Sequence, residues 1–376
     1  MHRSEHALLS PSLGCQRTLS AWHFGVAGQG PKIYIQASLH AEELPGMLTA
    51  YHLRQQLEAL DATGGIVGEV VLVPLANPIG LSQRLDHKPM GRFELDSSEN
   101  FNRHYPNLCQ AVAPQVLAAL GPDAQANVRT VRAAIGKYLQ QWQPQTELQS
   151  LRKALLQLSF DADIVLDLHC DCEGVLHLYC EESCWPTLEP LACHLGCQAV
   201  LLAKDSGGGP FDECLSGVWW QLAQAAAAAG IAYPLPQGCS STTIELRGEA
   251  DVTHTYAQRD ADAILAYLRT TGAVRGQTPP PCPALPCQPT PLAGSQTLRA
   301  ASPGLLVFAA DVGHHLRTGE LVAEVIDPLA NTALRVLAEV DGVFYARIRD
   351  RYVTAGCEIG KIAGAVPFRT GQLLGN

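Results

Sequence analysis

The chain has 376 residues, of which 47% are hydrophobic, and carries 26 Lys and Arg against 36 Asp and Glu for a net charge of −10. An acidic balance of this size argues against nucleic acid or an anionic membrane as the main partner, since both would favour a basic patch. No apolar run approaches the roughly 18 residues that a membrane-spanning helix needs, and the length exceeds the ~250–300 residues that one core encloses, so a large domain and a smaller one are expected.

In chain order, residues 32–39 form an apolar run that reads as a strand and ends at His40. A helix is expected over 45–60, with Pro45 suited to its first turn and Leu48, Leu53, Leu57 and Leu60 at mixed helical spacing. A strand over 70–75 follows, then a segment over 111–158 rich in Ala, Gln and Leu that predicts helices. Strands are expected at 164–168, 175–180, 198–203 and 242–246, with helices near 214–229 and 256–269. Alternating strands and helices imply an α/β architecture, a mixed sheet flanked by helices, with its site at the strand carboxyl ends.

Gly207-Gly208-Gly209-Pro210 is followed by no Gly-Lys-Ser/Thr and fits no dinucleotide fingerprint, so it reads as a mobile loop able to cover a pocket rather than a phosphate cradle. Prolines at 279, 280, 281, 283, 286, 289 and 291 mark residues 277–291 as a stiff, extended linker. The linker divides a catalytic domain, 1–276, from a C-terminal unit, 292–376. That unit repeats itself, Gly304-Leu305-Leu306 to Gly319-Glu320-Leu321 being matched by Gly342-Val343-Phe344 to Gly356-Cys357-Glu358. Two glycine-punctuated halves predict a small all-β unit with quasi-twofold symmetry. It resembles the biotinyl/lipoyl-like barrel-sandwich, but the turn between halves, Asp327-Pro328-Leu329-Ala330-Asn331, lacks the carrier lysine. A role in shaping the active-site entrance or in assembly is expected instead, which leaves homo-oligomerisation open.

The chemistry-bearing residues fall at strand ends. His40 and Glu43 form a His-x-x-Glu pair just past the first strand, and His169 ends another, so two strands can deliver three ligands to one rim. Two imidazoles and a carboxylate with a fourth position open is the donor set of catalytic zinc, one ion per chain. Each alone has a bland alternative, a hydrogen-bonded histidine or a solvated acid. Company raises them: the isolated acid Glu245 in Thr242-Thr243-Ile244-Glu245-Leu246-Arg247, and the polar stretch Asn100-Phe101-Asn102-Arg103. Zinc held by His40, Glu43 and His169 would lower the pKa of water toward 7, and Glu245 is the expected general base, its alternative being a salt bridge to Arg247. Residues one and three along a strand share a face, so Arg247 is expected to point the same way as Glu245. Asn102 and Arg103 are expected to clamp the free carboxylate of a small-molecule substrate.

These residues carry a resemblance. His40-Ala41-Glu42-Glu43, Asn77-Pro78, Asn102-Arg103, His169 and Glu245 stand in the order, and with gaps comparable to those, of the succinylglutamate desuccinylase/aspartoacylase family of zinc-carboxypeptidase-like hydrolases, over roughly residues 30–270. The resemblance implies that fold and a zinc-dependent hydrolase acting on the linear amide of small N-acyl amino acids. It assigns the oxyanion arginine to Arg92, in Gly91-Arg92-Phe93, with Arg84 as the competitor for an anion-binding role. Two departures stand out: Asn100-Phe101 where the desuccinylase pattern has Asp-Leu, and Ile244-Glu245-Leu246-Arg247, which is closer to the peptidase branch. The alternative activity is therefore a metallocarboxypeptidase, and a catalytically dead binding protein is a third reading.

His177 sits within an apolar run and is expected to be a packed strand residue rather than a ligand. Thirteen cysteines, an odd number, in a long chain whose first residues, Met1 to His6, do not lead into an apolar signal segment, predict free thiols and a cytoplasmic location. Cys170 and Cys172 are read as small buried or loop residues, not as metal ligands.

Overall fold

The computed structural model describes residues 1–276 and 281–375. Its first part runs β1 (His2–Ala7), β2 (Thr18–Gly25), β3 (Lys32–Ala37), α1 (Pro45–Ala62), β4 (Glu69–Val73), α2 (Pro78–Ser82), β5 (Arg84–Leu85), β6 (Lys88–Pro89), α3 (Leu108–Leu117), α4 (Ala124–Gln141) and α5 (Glu147–Ser159). It continues with β7 (Ile164–Asp171), β8 (Glu173–Gly174), β9 (Leu176–Glu181), α6 (Trp185–Leu195), β10 (Ala199–Ala203), α7 (Phe211–Ala228), β11 (Ser240–Gly248), α8 (His254–Thr270) and β12 (Thr290–Pro291). The nine-stranded sheet has the order β1-β2-β4-β3-β7-β11-β9-β10-β12. Its centre, β4-β3-β7-β11, is parallel, and both faces are covered.

Pleating sorts the apolar run of β3 between those faces. Ile33 and Ile35 pack with Leu53 and Leu57 of α1 and with residues of α6 and α8, whereas Tyr34 packs with α3, α4, α5 and α7. A strand buried on both sides must be apolar at nearly every position, which is why β3, β4 and β7 read as continuous runs rather than alternating ones. No helix among the described residues is long and apolar enough to cross a membrane.

The C-terminal strands are β13 (Ser295–Arg299), β14 (Gly304–Phe308), β15 (His315–Leu316), β16 (Leu321–Asp327), β17 (Thr332–Leu337), β18 (Gly342–Arg347), β19 (Tyr352–Val353) and β20 (Glu358–Gly364). They make two antiparallel sheets, β13-β20-β18-β15 and β17-β16-β14-β19. The two sequence halves interlock, since β15 of the first pairs with β18 of the second and β19 of the second with β14 of the first. Leu298, Leu306, Val322, Phe344, Ile359 and Ile362 fill the space between the sheets.

One expectation needs revision. Residues 277–280 of the proline-rich stretch lie outside the described residues, and residues 281–284 are exposed, but from Leu285 onward the stretch is partly packed rather than a free spacer. Leu285 and Cys287 lie against the core beneath α6 and α8, the Cys282 thiol faces Pro190 O at 3.6 Å and Cys287 faces Cys197 O at 3.4 Å, and β12 then joins the sheet parallel to β10. Proline tolerates this because β12 is an edge strand, where a missing N–H leaves no ladder bond unmade. The short strand β8 pairs with β18, so the C-terminal sheets are docked on the rim of the large sheet beside β7.

Candidate active site

His40 and Glu43 sit in the turn between β3 and α1, and His169 near the end of the adjacent strand β7. All three are buried, with 2–3% of their surface exposed. His40 Nδ1 lies 2.9 Å from Glu43 Oε1, and His169 Nδ1 lies 2.7 Å from Glu43 Oε2. The three donor atoms fall within 4.8 Å of one another, the only such group of metal-ligating side chains among the described residues.

The outward nitrogens explain the convergence. His40 Nε2 meets Asn100 Oδ1 at 2.8 Å, and His169 Nε2 lies 3.1 Å from Asp167 Oδ2, an ion-pair distance without hydrogen-bond alignment. At His40 that acceptor keeps the proton on Nε2 and leaves the Nδ1 lone pair pointing inward, the tautomer that coordination through Nδ1 requires. The residues therefore fit a divalent cation. Burial and the nearby Arg92 charge hold the His40 imidazole down at about 4, in its neutral form. Burial also opposes charge on His169, but Asp167 and Glu43 outweigh it and push its pKa up. Glu43, despite burial, is held well below the usual carboxylate range by the two imidazoles.

Glu245 on β11 is the parallel neighbour of His169 on β7, which puts its carboxyl on the same wall. Burial, together with the Glu43 and Asp171 carboxylates, raises its pKa to about 8, and its Oε2 has no hydrogen-bond partner among the described residues. Arg247 does not share that wall. The register with β7 shifts between Glu245 and Gly248 and Arg247 adopts φ +66°, so the bulge turns its guanidinium onto Asp260 of α8 and over the Tyr256 ring at 4.4 Å. The strand periodicity that predicted a shared face fails at the bulge.

Arg92 approaches from the loop before α3. Its Nη1 lies 3.3 Å from both Glu43 Oε1 and His40 Nδ1. Arg84 is elsewhere: it stands exposed on the β5–β6 hairpin, donates to His87 O at 3.4 Å, and is not among the residues that line the cavity. Asn102 and Arg103 do line it and are buried. The Asn102 amide oxygen accepts from Phe211 N at 2.8 Å, at the start of α7, so the amide NH2 is the end left to meet a ligand.

The Gly207–Pro210 loop lies against Arg103 and is tied down rather than poised to swing, with His104 N donating to Gly208 O at 2.9 Å and Tyr105 N to Gly209 O at 3.0 Å. Gly208 has φ +80°, and a Cβ there would sit 2.9 Å from Arg103 Cδ. Its glycine thus serves close approach to the guanidinium.

The whole forms a cavity of about 590 Å³. Part of its lining carries no signal in the sequence: Asp212 and Glu213, which burial pushes up to about 6 and about 8, and Tyr345, Lys361 and the segment around Leu373 from the C-terminal part. His177 is buried and donates from Nδ1 to Val175 O at 2.8 Å, a packed strand residue. Cys170 is buried and Cys172 is pushed up to about 12, by burial first and the Glu249 and Asp171 charges next, so neither thiol ionises readily as a ligand. All thirteen cysteines are free.

Comparison with known proteins agrees with this geometry. The profile of the succinylglutamate desuccinylase/aspartoacylase catalytic domain matches residues 29–271. A succinylglutamate desuccinylase/aspartoacylase family protein from Shewanella amazonensis is similar in structure, with TM-score 0.81 and 26% identity over 96% of this chain and 98% of the other. A homologue so described from Shewanella frigidimarina gives TM-score 0.84 and 25% identity over 96% and 97%. The ectoine utilization protein of Ruegeria pomeroyi shares the fold, with TM-score 0.63 and 14% identity over 96% and 95%. No curated protein sequence matches the chain. The chain, with its His40, Glu43 and His169 cluster on an α/β sheet, belongs to the succinylglutamate desuccinylase/aspartoacylase family, whose members are hydrolytic deacylases acting on small carboxylate-bearing substrates.

Proposed function

We propose that this protein is a zinc-dependent amidohydrolase that releases the amine from small N-acyl amino acids, in a catalytic domain of residues 1–276 whose cavity is finished by the C-terminal β unit. The observation that carries the reading is the convergence of two histidine Nδ1 atoms on the Glu43 carboxylate, the His40 ring fixed from behind by Asn100 and the Asp167 carboxylate standing beside His169. A zinc ion bound by His40, Glu43 and His169 would act as a Lewis acid and lower the pKa of water toward about 7.

The protein groups do the rest. Glu245, on the wall next to His169, takes a proton from the attacking water and returns it to the departing amine, a role worth about 10²–10⁴-fold in rate. Its raised pKa suits a group that must both accept and give, and a nearby cation would draw that value down toward neutrality. Arg92, beside Glu43, takes the negative charge that develops on the carbonyl oxygen. Arg103 and the Asn102 amide receive the substrate carboxylate. Arg84, outside the cavity, is left without a part. Free thiols throughout suit a reducing compartment, and a cytoplasmic location is part of the proposal.

One observation favours a second reading, a metallocarboxypeptidase: a stretch of polypeptide, residues 372–375, forms part of the cavity wall and its Gly375 carbonyl accepts from Arg103. Zinc-loaded protein offered a mixed panel of N-acyl amino acids and unblocked peptides, with the liberated amino acid identified, separates the two. Release from acyl amino acids alone supports the deacylase. Release from peptides replaces it, and no release from either panel points to the third reading, a protein that binds without turning over, or to a substrate outside the panel.

A further inference from the structure

The guanidinium assigned to the substrate carboxylate is not idle. Arg103 Nη1 donates to Asn102 O at 2.8 Å and Nη2 donates to Gly375 O at 2.6 Å, a partner 272 residues away in sequence. That carbonyl is delivered by a segment crossing from the C-terminal sheets to the rim of the large one. Phe368 N and Arg369 N both donate to Ala293 O at 3.0 Å, and Leu373 N donates to Ser206 O at 2.8 Å. Arg369 braces the turn, giving Nη2 to Leu373 O at 2.7 Å and Nη1 to Ser295 O at 3.2 Å. Leu373 and Leu374 pack, partly buried, on the cluster of Leu201, Leu292 and Tyr345. Close passage over the 207–210 loop is possible because residue 207 lacks a side chain: a Cβ there would meet Gln372 Cα at 3.0 Å.

We propose that residues 369–375 are a tethered peptide ligand of the Arg103 subsite, which a carboxylate-bearing substrate must displace before it is held. The inference rests on Arg103 being the carboxylate clamp of the proposed function. A neutral backbone carbonyl engages a guanidinium through one bond, whereas a carboxylate takes two charge-assisted ones. The incoming anion therefore wins the exchange, yet its apparent affinity is reduced by the fraction of molecules in which the strap is seated. Because the strap is covalently attached, its effective concentration at the subsite is high. A substrate with a single weak anion competes poorly, and one presenting a well-placed carboxylate competes best, so the strap sharpens selection for small free carboxylates. A bond from a charged donor contributes enough that its loss changes an equilibrium by about tenfold or more.

The test uses the full chain, a variant ending at Phe368, the full-length Arg369→Ala variant, and a labelled synthetic peptide with the sequence of residues 369–376. Fluorescence anisotropy reports peptide binding without turnover, so it remains informative if the deacylase assignment is wrong. The expected result is that the shortened chain binds the peptide at least about tenfold more tightly than the full chain. In the shortened background succinate displaces it and Arg103→Ala abolishes it, and where turnover is seen, KM falls about tenfold with kcat little changed. Arg369→Ala, which loses both braces, shifts the same way and stands in if the shortened chain does not fold. Equal peptide binding to full and shortened chains, binding that survives Arg103→Ala, or a KM that is unchanged or raised overturns the proposal.

Discussion

Replacing Glu245 by Gln should stabilise the metal-free protein at alkaline pH while leaving it no more stable in acid. Burial, helped by the Glu43 and Asp171 charges, raises the Glu245 pKa from 4.5 to about 8 in the folded chain. The native state then holds a proton that the unfolded state releases above pH 4.5, so the native state binds more protons across the window from 4.5 to about 8. Stability therefore falls as pH rises through that window. Each pH unit costs about 1.4 kcal/mol, which at pH 7.5 sets a ceiling of about 4 kcal/mol; solvent in the open cavity brings the expected penalty to about half that. A glutamine has the shape of the protonated acid and no proton to lose. Thermal unfolding of chelator-treated wild type and Glu245→Gln should coincide near pH 4.5 and diverge by several degrees near pH 8, the variant being higher. A gap between the two melting temperatures that does not change with pH would show that Glu245 is not the strained carboxyl described here. The same variant, reloaded with zinc, should lose most of its activity, so stability and catalysis move in opposite directions.

Asn100→Ala should weaken metal binding by about 10–100-fold, because His40 loses the acceptor that fixes its tautomer; competition against a chromophoric chelator measures this, and wild-type affinity would count against the outer-nitrogen argument. Arg92→Ala should lower kcat by about 10²–10³-fold while Arg84→Ala leaves both kcat and KM within about twofold, since Arg84 does not line the cavity; steady-state kinetics on the pair decides between them. Gly208→Ala should cost about 1–3 kcal/mol of stability and raise KM, because φ is +80° and the new Cβ would press on Arg103 Cδ from 2.9 Å; an unchanged KM would mean that the guanidinium position is not set by this loop.

The parts of the sheet that could be read from sequence are those buried on two faces. β3, β4 and β7 announce themselves as apolar runs, and His40 and His169 stand out at the ends of two of them, whereas Glu245 stands out as the one acid in a strand of Ser, Thr, Ile and Leu. β1 does not, since its residues His2 to Ala7 are mostly polar on an exposed edge and their only strand signal is pairing with β2. Arg247 departs from its expected face for a local reason, a bulge that periodicity cannot anticipate. Arg92 and Arg84 look alike in sequence, and only the bridge between Phe93 and Asn100 draws the Arg92 segment against the polar stretch. Asn100 and Asp167 could have been found, as a carboxylate in the middle of an apolar strand two residues before a proposed ligand is costly unless it is paired. The contributions of Lys361, Tyr345 and the strap could not, because they come from segments whose approach depends on how two sheets dock.

That docking is made by the pairing of β8 with β18. Arg347 Nε donates to Glu173 Oε2 at 2.6 Å, across 174 residues of chain, and Val175 N donates to Tyr345 O at 2.9 Å. Glu173 stands only four positions after His169. The strand that carries His169 therefore lies beside an edge, β8, whose partner β18 is far away in sequence, and until the two pair that edge next to the His40, Glu43 and His169 cluster is unfinished. Pairing across such a sequence separation is slow to form, which ties the finishing of the cavity wall to the docking of two segments 174 residues apart.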